Sequence, residues 1–140
     1  MNSSQSDAEK RNENSYVLDA SALLASILGE PGSEVVEAAT TTGSVIGAVN
    51  LAEVVTKLTD LQYSQIDITR SLNSLTFEVL DFNAELARAT GSLRAPTRHL
   101  GLSLGDRACL ALALSLGLPV LTADRNWANV DVGVEVVLCR

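Results

Sequence analysis

The alternation of short apolar runs with helical patterns constrains this chain more than any other feature. Five runs have the length and the apolar content of buried strands, and they lie at residues 16–19, 44–48, 77–82, 119–124 and 134–139. Helical patterns separate them at residues 21–30, 33–39, 50–61, 65–75, 83–90 and 103–118. This order predicts an α/β fold, with helices on both faces of a mostly parallel five-stranded sheet.

Composition limits the classes of protein that the chain can belong to. It has 140 residues, 46% of them hydrophobic, which suits one domain with a real core. The net charge of −7 argues against non-specific coating of nucleic acid. It does not exclude a nuclease, because carboxylates that hold a metal ion also count as negative charges.

The N-terminal segment, the lengths of the apolar runs and the two cysteines indicate where in the cell the protein is expected. Residues 1–14 are polar and are expected to form a flexible tail, without the apolar stretch of a signal peptide. No apolar run reaches the roughly 18 residues that a membrane span needs, so no membrane association is expected. Cys109 and Cys139 are expected to be buried free thiols, with a disulfide as the alternative. These features together favour the cytoplasm.

Four acidic residues stand at the places where such a fold binds ligands. Asp19 and Asp124 each close a predicted strand, and Glu53 and Asp106 fall in the first turns of predicted helices. Ligands of parallel sheets bind outside the carboxyl ends of the strands. If the four carboxylates meet there, they need a divalent cation or must protonate, and oxygen ligands favour Mg²⁺ or Mn²⁺ over Zn²⁺.

Each acid also has a purely local interpretation. Glu53 follows Asn50 by three residues, and Asp106 follows Ser103 by three, which is the spacing of a helix capping box. The two strand-ending aspartates can act as turn formers. Spacing alone leaves both interpretations open.

Four stretches together resemble the PIN domain, and within it the VapC-type ribonuclease toxins of bacterial toxin–antitoxin pairs. They read "VLDASALLA", "NLAEVVTKL", "LSLGDRACLALA" and "GLPVLTADRNW". The resemblance implies a PIN-like three-layer α/β/α fold over residues 15–140 with strand order 3-2-1-4-5. It also implies Mg²⁺ (or Mn²⁺) at an acidic quartet, cleavage of single-stranded RNA, a homodimer and a VapB-like antitoxin. By position, the quartet consists of Asp19, Glu53, Asp106 and Asp124.

Other residues near these motifs have candidate roles. The cation would polarise the scissile phosphate and a bound water, which Glu53 or Asp124 would orient. Ser21 and Thr122 are candidates for hydrogen bonds to the metal's waters, and local turn bonding is the alternative. The segment from residue 86 to 105 has no acid, so its arginines suggest contacts to RNA phosphates or a solvated face. The candidate phosphate contacts are Arg94, Arg98 and Arg107.

Rival functions make different demands on the sequence. A phospho-receiver domain needs a lysine after its last functional strand, whereas Asp124 is followed by Arg125. A catalytically silent protein-binding module predicts a broken acidic quartet. A PIN nuclease that processes RNA outside toxin–antitoxin pairs has the same site, and the sequence does not separate it from a toxin.

Overall fold

The sheet contains five parallel strands in the order predicted for this chain. The computed structural model describes residues 15–140, so the predicted tail at residues 1–14 lies outside the described residues. The strand order is β3-β2-β1-β4-β5, and every neighbouring pair is parallel. The strands are β1 (Val17–Leu18), β2 (Val45–Gly47), β3 (Glu78–Leu80), β4 (Val120–Thr122) and β5 (Val136–Leu138). The predicted α/β fold is therefore confirmed.

Helices connect the strands, and most of them lie close to the predicted ranges. The α-helices are α1 (Ala20–Leu28), α2 (Ser33–Thr41), α3 (Ala48–Asp60), α4 (Gln65–Asn73), α5 (Ala84–Ser92), α6 (Arg94–Thr97) and α7 (Leu104–Leu116). Two 3₁₀-helices are η1 (Arg98–Leu100) and η2 (Arg125–Asn129). The short α6 was not predicted, because four residues are too few for a periodic apolar pattern.

The pleat of the strands divides the core into two clusters, one on each face of the sheet. Successive side chains of a strand point to opposite faces. Val17 accordingly packs in a cluster with Leu110 of α7, whereas Leu18 packs in the other cluster with Leu23 of α1 and Leu58 of α3. Helices therefore cover both faces, which gives the three layers expected from near-continuous apolar strands.

Helix α7 is buried on all sides over residues 108–113, as its apolar sequence indicates, and its last turn reaches solvent. Leu110 and Leu112 are buried in the core, whereas Leu114 and Leu116 are 42% and 43% exposed. The first two leucines are thus core residues, and the second two are open to solvent in the single chain. Both cysteines are buried and free, as expected.

No helix within residues 15–140 combines the length and the apolarity that a bilayer crossing requires.

The predicted acids stand at one edge of the sheet, because β1, β2 and β4 all end there. Asp19 directly follows β1, α3 begins directly after β2, and Asp124 follows β4 by two residues.

Candidate active site

Asp19 is a buried carboxylate at the junction of β1 and α1. Its side chain is the N-cap of α1 and accepts a 2.8 Å hydrogen bond from the backbone N–H of Ala22. The residue is only 4% exposed. A capping aspartate is ordinarily solvated, so burial at this depth requires further hydrogen-bond donors.

Two hydroxyl groups supply those donors. Ser21 Oγ donates to the Asp19 carboxylate at 2.8 Å, and Thr122 Oγ1, from the end of β4, donates at 2.5 Å. Each hydroxyl is fixed in turn, because Ser21 Oγ accepts the N–H of Ala123 and Thr122 Oγ1 accepts the N–H of Asp124, both at 3.0 Å. Ser21 and Thr122, both predicted to support the site, thus bond directly to its most buried acid.

Burial still dominates the electrostatics of Asp19. It raises the pKa of the carboxyl from 3.8 to about 6, although the bonds from Thr122, Ala22 and Ser21 favour the charged form. The negative charge of Asp106 raises the pKa further. Near neutral pH the site therefore holds a charge that the fold destabilises, and a bound cation would relieve that cost.

Asp106 stands in the first turn of α7 and makes the capping box that its spacing predicts. Its N–H donates to Ser103 Oγ at 3.1 Å, and its Oδ2 accepts the N–H of Ser103 at 3.0 Å. This local role does not exclude a role in the site. Asp106 is partly exposed, and its charge acts on both Asp19 and Glu53.

Glu53 does not lie in a first helical turn, and the capping-box interpretation of Asn50 and Glu53 is wrong. Helix α3 begins at Ala48 with Gly47 as its N-cap, so Asn50 is already the third helical residue. Asn50 Nδ2 instead donates to Glu53 Oε1 at 2.8 Å. Desolvation raises the pKa of Glu53, the bond from Asn50 lowers it, and the charge of Asp106 raises it.

Cys109 marks the place where three of the acids come together. Its thiol is fully buried in α7 and contacts the carbonyl oxygen of Leu18, with Sγ 3.8 Å from that oxygen. Burial raises the pKa of the thiol well above its usual value, and the charges of Asp19, Asp106 and Glu53 add to the effect. These three carboxylates, from the end of β1, from α3 and from the first turn of α7, therefore lie close enough to one buried thiol for their charges to act on it.

Asp124 is linked to this group through the backbone only. Its side chain is the N-cap of η2 and accepts the N–H of Asn126 at 3.0 Å, while its own N–H binds Thr122. Within residues 15–140, no group of three or more Asp, Glu, His or Cys side chains is arranged to hold a metal ion. The four acids thus share one edge of the sheet, but their carboxylates do not form a ready-made coordination sphere.

The donor set nevertheless suits a hard divalent cation. Asp19, Asp106 and Glu53 offer carboxylate oxygens, which Mg²⁺ and Mn²⁺ prefer. Both Glu53 and Asp106 reach solvent, so a cation from solution has access to their carboxylate oxygens. The raised pKa of buried Asp19 gives the site an electrostatic reason to take up a cation.

The predicted phosphate contacts differ in their surroundings. Arg94 and Arg98 are exposed on α6 and η1, and in the described part of the chain neither forms an ion pair. Arg107 instead donates from Nη1 to the backbone carbonyl of Thr90 at 3.0 Å, which links α7 to α5. His99 is exposed, and Trp127 is fully buried in the core.

Comparison with known proteins identifies the fold that carries this site. The model of the PIN domain family matches residues 16–133. The chain belongs to the PIN domain family. No curated protein sequence matches it.

Solved structures agree with a PIN domain. A toxin–antitoxin complex from Klebsiella pneumoniae matches with a TM-score of 0.70 at 20% identity, over 89% of this chain and 98% of that one. The VapBC-5 toxin–antitoxin protein of Mycobacterium tuberculosis matches with a TM-score of 0.59 at 25% identity, over 89% and 98%. VapC20 of the same organism, a sarcin–ricin loop cleaving toxin, matches with a TM-score of 0.63 at 14% identity, over 86% and 98%.

Two residues of the site were not predicted as parts of it. The spacing of Asn50 predicts a helix cap, and Gly105 is not among the predicted site residues. The indication in the sequence is that Gly105 directly precedes Asp106, since a residue without a side chain leaves room for a neighbouring group. The sequence could not identify that neighbour, because the contact joins residues far apart in the chain.

Proposed function

We propose that this chain is a Mg²⁺-dependent endoribonuclease of the VapC type, with Mn²⁺ as a possible substitute. The observation that carries the proposal is the buried Asp19 carboxylate at the edge of a PIN-domain sheet. Its pKa is raised by burial and further by the negative charge of Asp106. A buried negative charge near a second one destabilises the folded protein, and a bound cation would offset that destabilisation.

Each acid has a role in the proposed reaction. Asp19, fixed by Thr122 and Ser21, and Asp106, at the start of α7, would hold the cation, with Glu53 as a further ligand. When bound, the cation supplies Lewis-acid activation of a phosphodiester and of a water molecule. Glu53, which reaches solvent and has a raised pKa, is suited to accept the proton of the attacking water. Asp124 is the alternative base. Attack of water on phosphorus that breaks the bond to the 3′-oxygen, which leaves and takes up a proton, gives 5′-phosphate and 3′-hydroxyl ends.

RNA is the proposed substrate. Arg94 and Arg98 are exposed, form no ion pair within residues 15–140, and lie in an acid-free segment of a chain with net charge −7. They can bind backbone phosphates without reading the base sequence. Arg107 is better placed to join α7 to α5 than to bind RNA, because its guanidinium already donates to Thr90. The similar VapC20 is a sarcin–ricin loop cleaving toxin, which supports the same substrate class.

A VapB-like antitoxin is the proposed partner, because the similar structure from Klebsiella pneumoniae is a toxin–antitoxin complex and that of VapBC-5 belongs to the VapBC family of toxin–antitoxin systems. The exposed Leu114 and Leu116 of α7 are candidates for an interface, either between two copies of the chain or with the antitoxin.

An RNA-processing PIN nuclease is the second candidate function. It uses the same acids, and a neighbouring antitoxin gene would argue against it.

RNA ends sequenced after brief expression test the nuclease proposal. The wild type should produce new ends at defined sites, and Asp19→Asn should lose them because the variant lacks the buried ligand. Asp67→Asn is the matched control, since Asp67 is an exposed acid in the first turn of α4. Identical end profiles for wild type and Asp19→Asn would remove the proposal. Cleavage by the purified protein that persists fully in chelator would contradict the metal dependence.

A further inference from the structure

Glu53 is tied to another helix by a side chain that the proposed chemistry does not use. Asn50 is 2% exposed, and its Nδ2 donates to Glu53 Oε1 at 2.8 Å and to the carbonyl oxygen of Gly105 at 3.0 Å. An amide nitrogen carries two hydrogens, so these two bonds use the whole donor capacity of Asn50. The side chain thus joins the carboxylate of α3 to the first turn of α7.

Gly105 leaves the space that the Glu53 carboxylate occupies. A Cβ atom at Gly105 would lie 2.5 Å from Cδ, Oε1 and Oε2 of Glu53. That distance is far below van der Waals contact, so the carboxylate packs directly against the glycine backbone. The next residue is Asp106, whose negative charge acts on Glu53.

We propose that Asn50 and Gly105 are positioning residues for Glu53. Asn50 tethers the carboxylate, and Gly105 provides the surface on which it rests beside Asp106. Without the tether, a glutamate with three rotatable bonds would sample many positions in solvent. The role assigned to the pair rests on the proposed nuclease function, but the contact itself can be tested without a cation or RNA.

Thermal unfolding in chelator tests the contact at Gly105. A Gly→Ala change at a compatible backbone position normally raises stability, here by about 1–4 °C in melting temperature. Gly105→Ala should instead lower the melting temperature of the wild type, because the new methyl group displaces Glu53. In a Glu53→Ala background the same change should raise it. Gly91→Ala in α5 is the control, since nothing lies within 4 Å of its added Cβ. It should raise the melting temperature in both backgrounds.

The sign of the effect decides the outcome. If Gly105→Ala changes the melting temperature in the same direction in both backgrounds, the carboxylate does not rest on this glycine and the proposal is overturned.

Calorimetric titration with Mn²⁺ tests the positioning role. Loss of a partner that orients a ligand typically weakens metal binding by about 10- to 100-fold. Asn50→Ala and Gly105→Ala should each weaken Mn²⁺ binding in this range, and neither should weaken it further once Glu53 is alanine. A purely structural role would weaken binding equally in both backgrounds and would overturn the proposal. Failure of the wild type to bind Mn²⁺ would instead count against the proposed nuclease, while the unfolding result would still judge the contact.

Discussion

At the scale of single residues, Asp19 combines a structural and a functional demand. Its carboxylate caps α1 and is surrounded by donors, yet burial raises its pKa to about 6. A difference of about two pKa units corresponds to about 3 kcal/mol that the charged form costs the folded state. A residue chosen for stability alone would be serine or asparagine, which cap helices without a charge. An aspartate at this buried position is better explained by a bound cation.

This cost predicts that the cation-free protein loses stability as pH rises. The folded-state pKa lies above the unfolded value, so the unfolded chain gives up the proton first and the folded state is penalised from pH 4 upwards until the penalty levels off above pH 6. Between pH 5 and pH 8 the loss from Asp19 should be about 1–2 kcal/mol. Urea unfolding in chelator, followed by the fluorescence of Trp127, measures it. Asp19→Asn should be the more stable protein at pH 8 and should lose most of this slope. Equal slopes for the two proteins would contradict the assignment.

At the scale of elements, helix starts show what local sequence can and cannot predict. The Ser103–Asp106 spacing correctly predicted a capping box, because a loop precedes α7 and leaves the serine free to be the cap. The same spacing predicts a capping box at Asn50 and Glu53, and that prediction is wrong. Helix α3 follows β2 without a loop and therefore begins at Ala48, two residues before Asn50. Spacing reports which side chains face each other on a helix. It does not report where the preceding strand ends.

The capping box of α7 should affect both stability and the site. Ser103→Ala removes the hydroxyl that accepts the N–H of Asp106 and should cost about 1 kcal/mol, as the loss of an N-cap usually does. The backbone N–H of residue 103 still donates to the Asp106 carboxylate, but the loosened first turn of α7 should hold Asp106 less firmly and weaken Mn²⁺ binding. Ser64→Ala is the matched control. Ser64 caps α4 through the N–H of Asp67 at 3.1 Å, the same length as the bond from Asp106 to Ser103.

Urea unfolding and calorimetric titration compare the two serine variants. Both should lose similar stability, and only Ser103→Ala should bind Mn²⁺ more weakly. Equal affinities would show that the cap acts on the helix alone.

At the scale of the whole molecule, the sheet was predictable and the site was predictable in part. Strand and helix alternation was enough for a parallel sheet, and strand ends indicated the edge where Asp19 lies. The gathering of Glu53 and Asp106 around Cys109 depends on how α3 and α7 pack together. The Asn50–Gly105 bond spans 55 residues and has no local pattern. Long-range packing of this kind is what one sequence alone does not reveal.

The central claim is that Asp19, Asp106 and Glu53 together capture a hard divalent cation. Crystals of the wild type and of Asp19→Asn grown with Mn²⁺ test it most directly, because manganese can be located by its anomalous scattering. We expect one strong manganese peak bound by the carboxylates of Asp19, Asp106 and Glu53 in the wild type, and no peak there in the variant. A wild-type structure at saturating Mn²⁺ with no peak at these carboxylates would contradict the account.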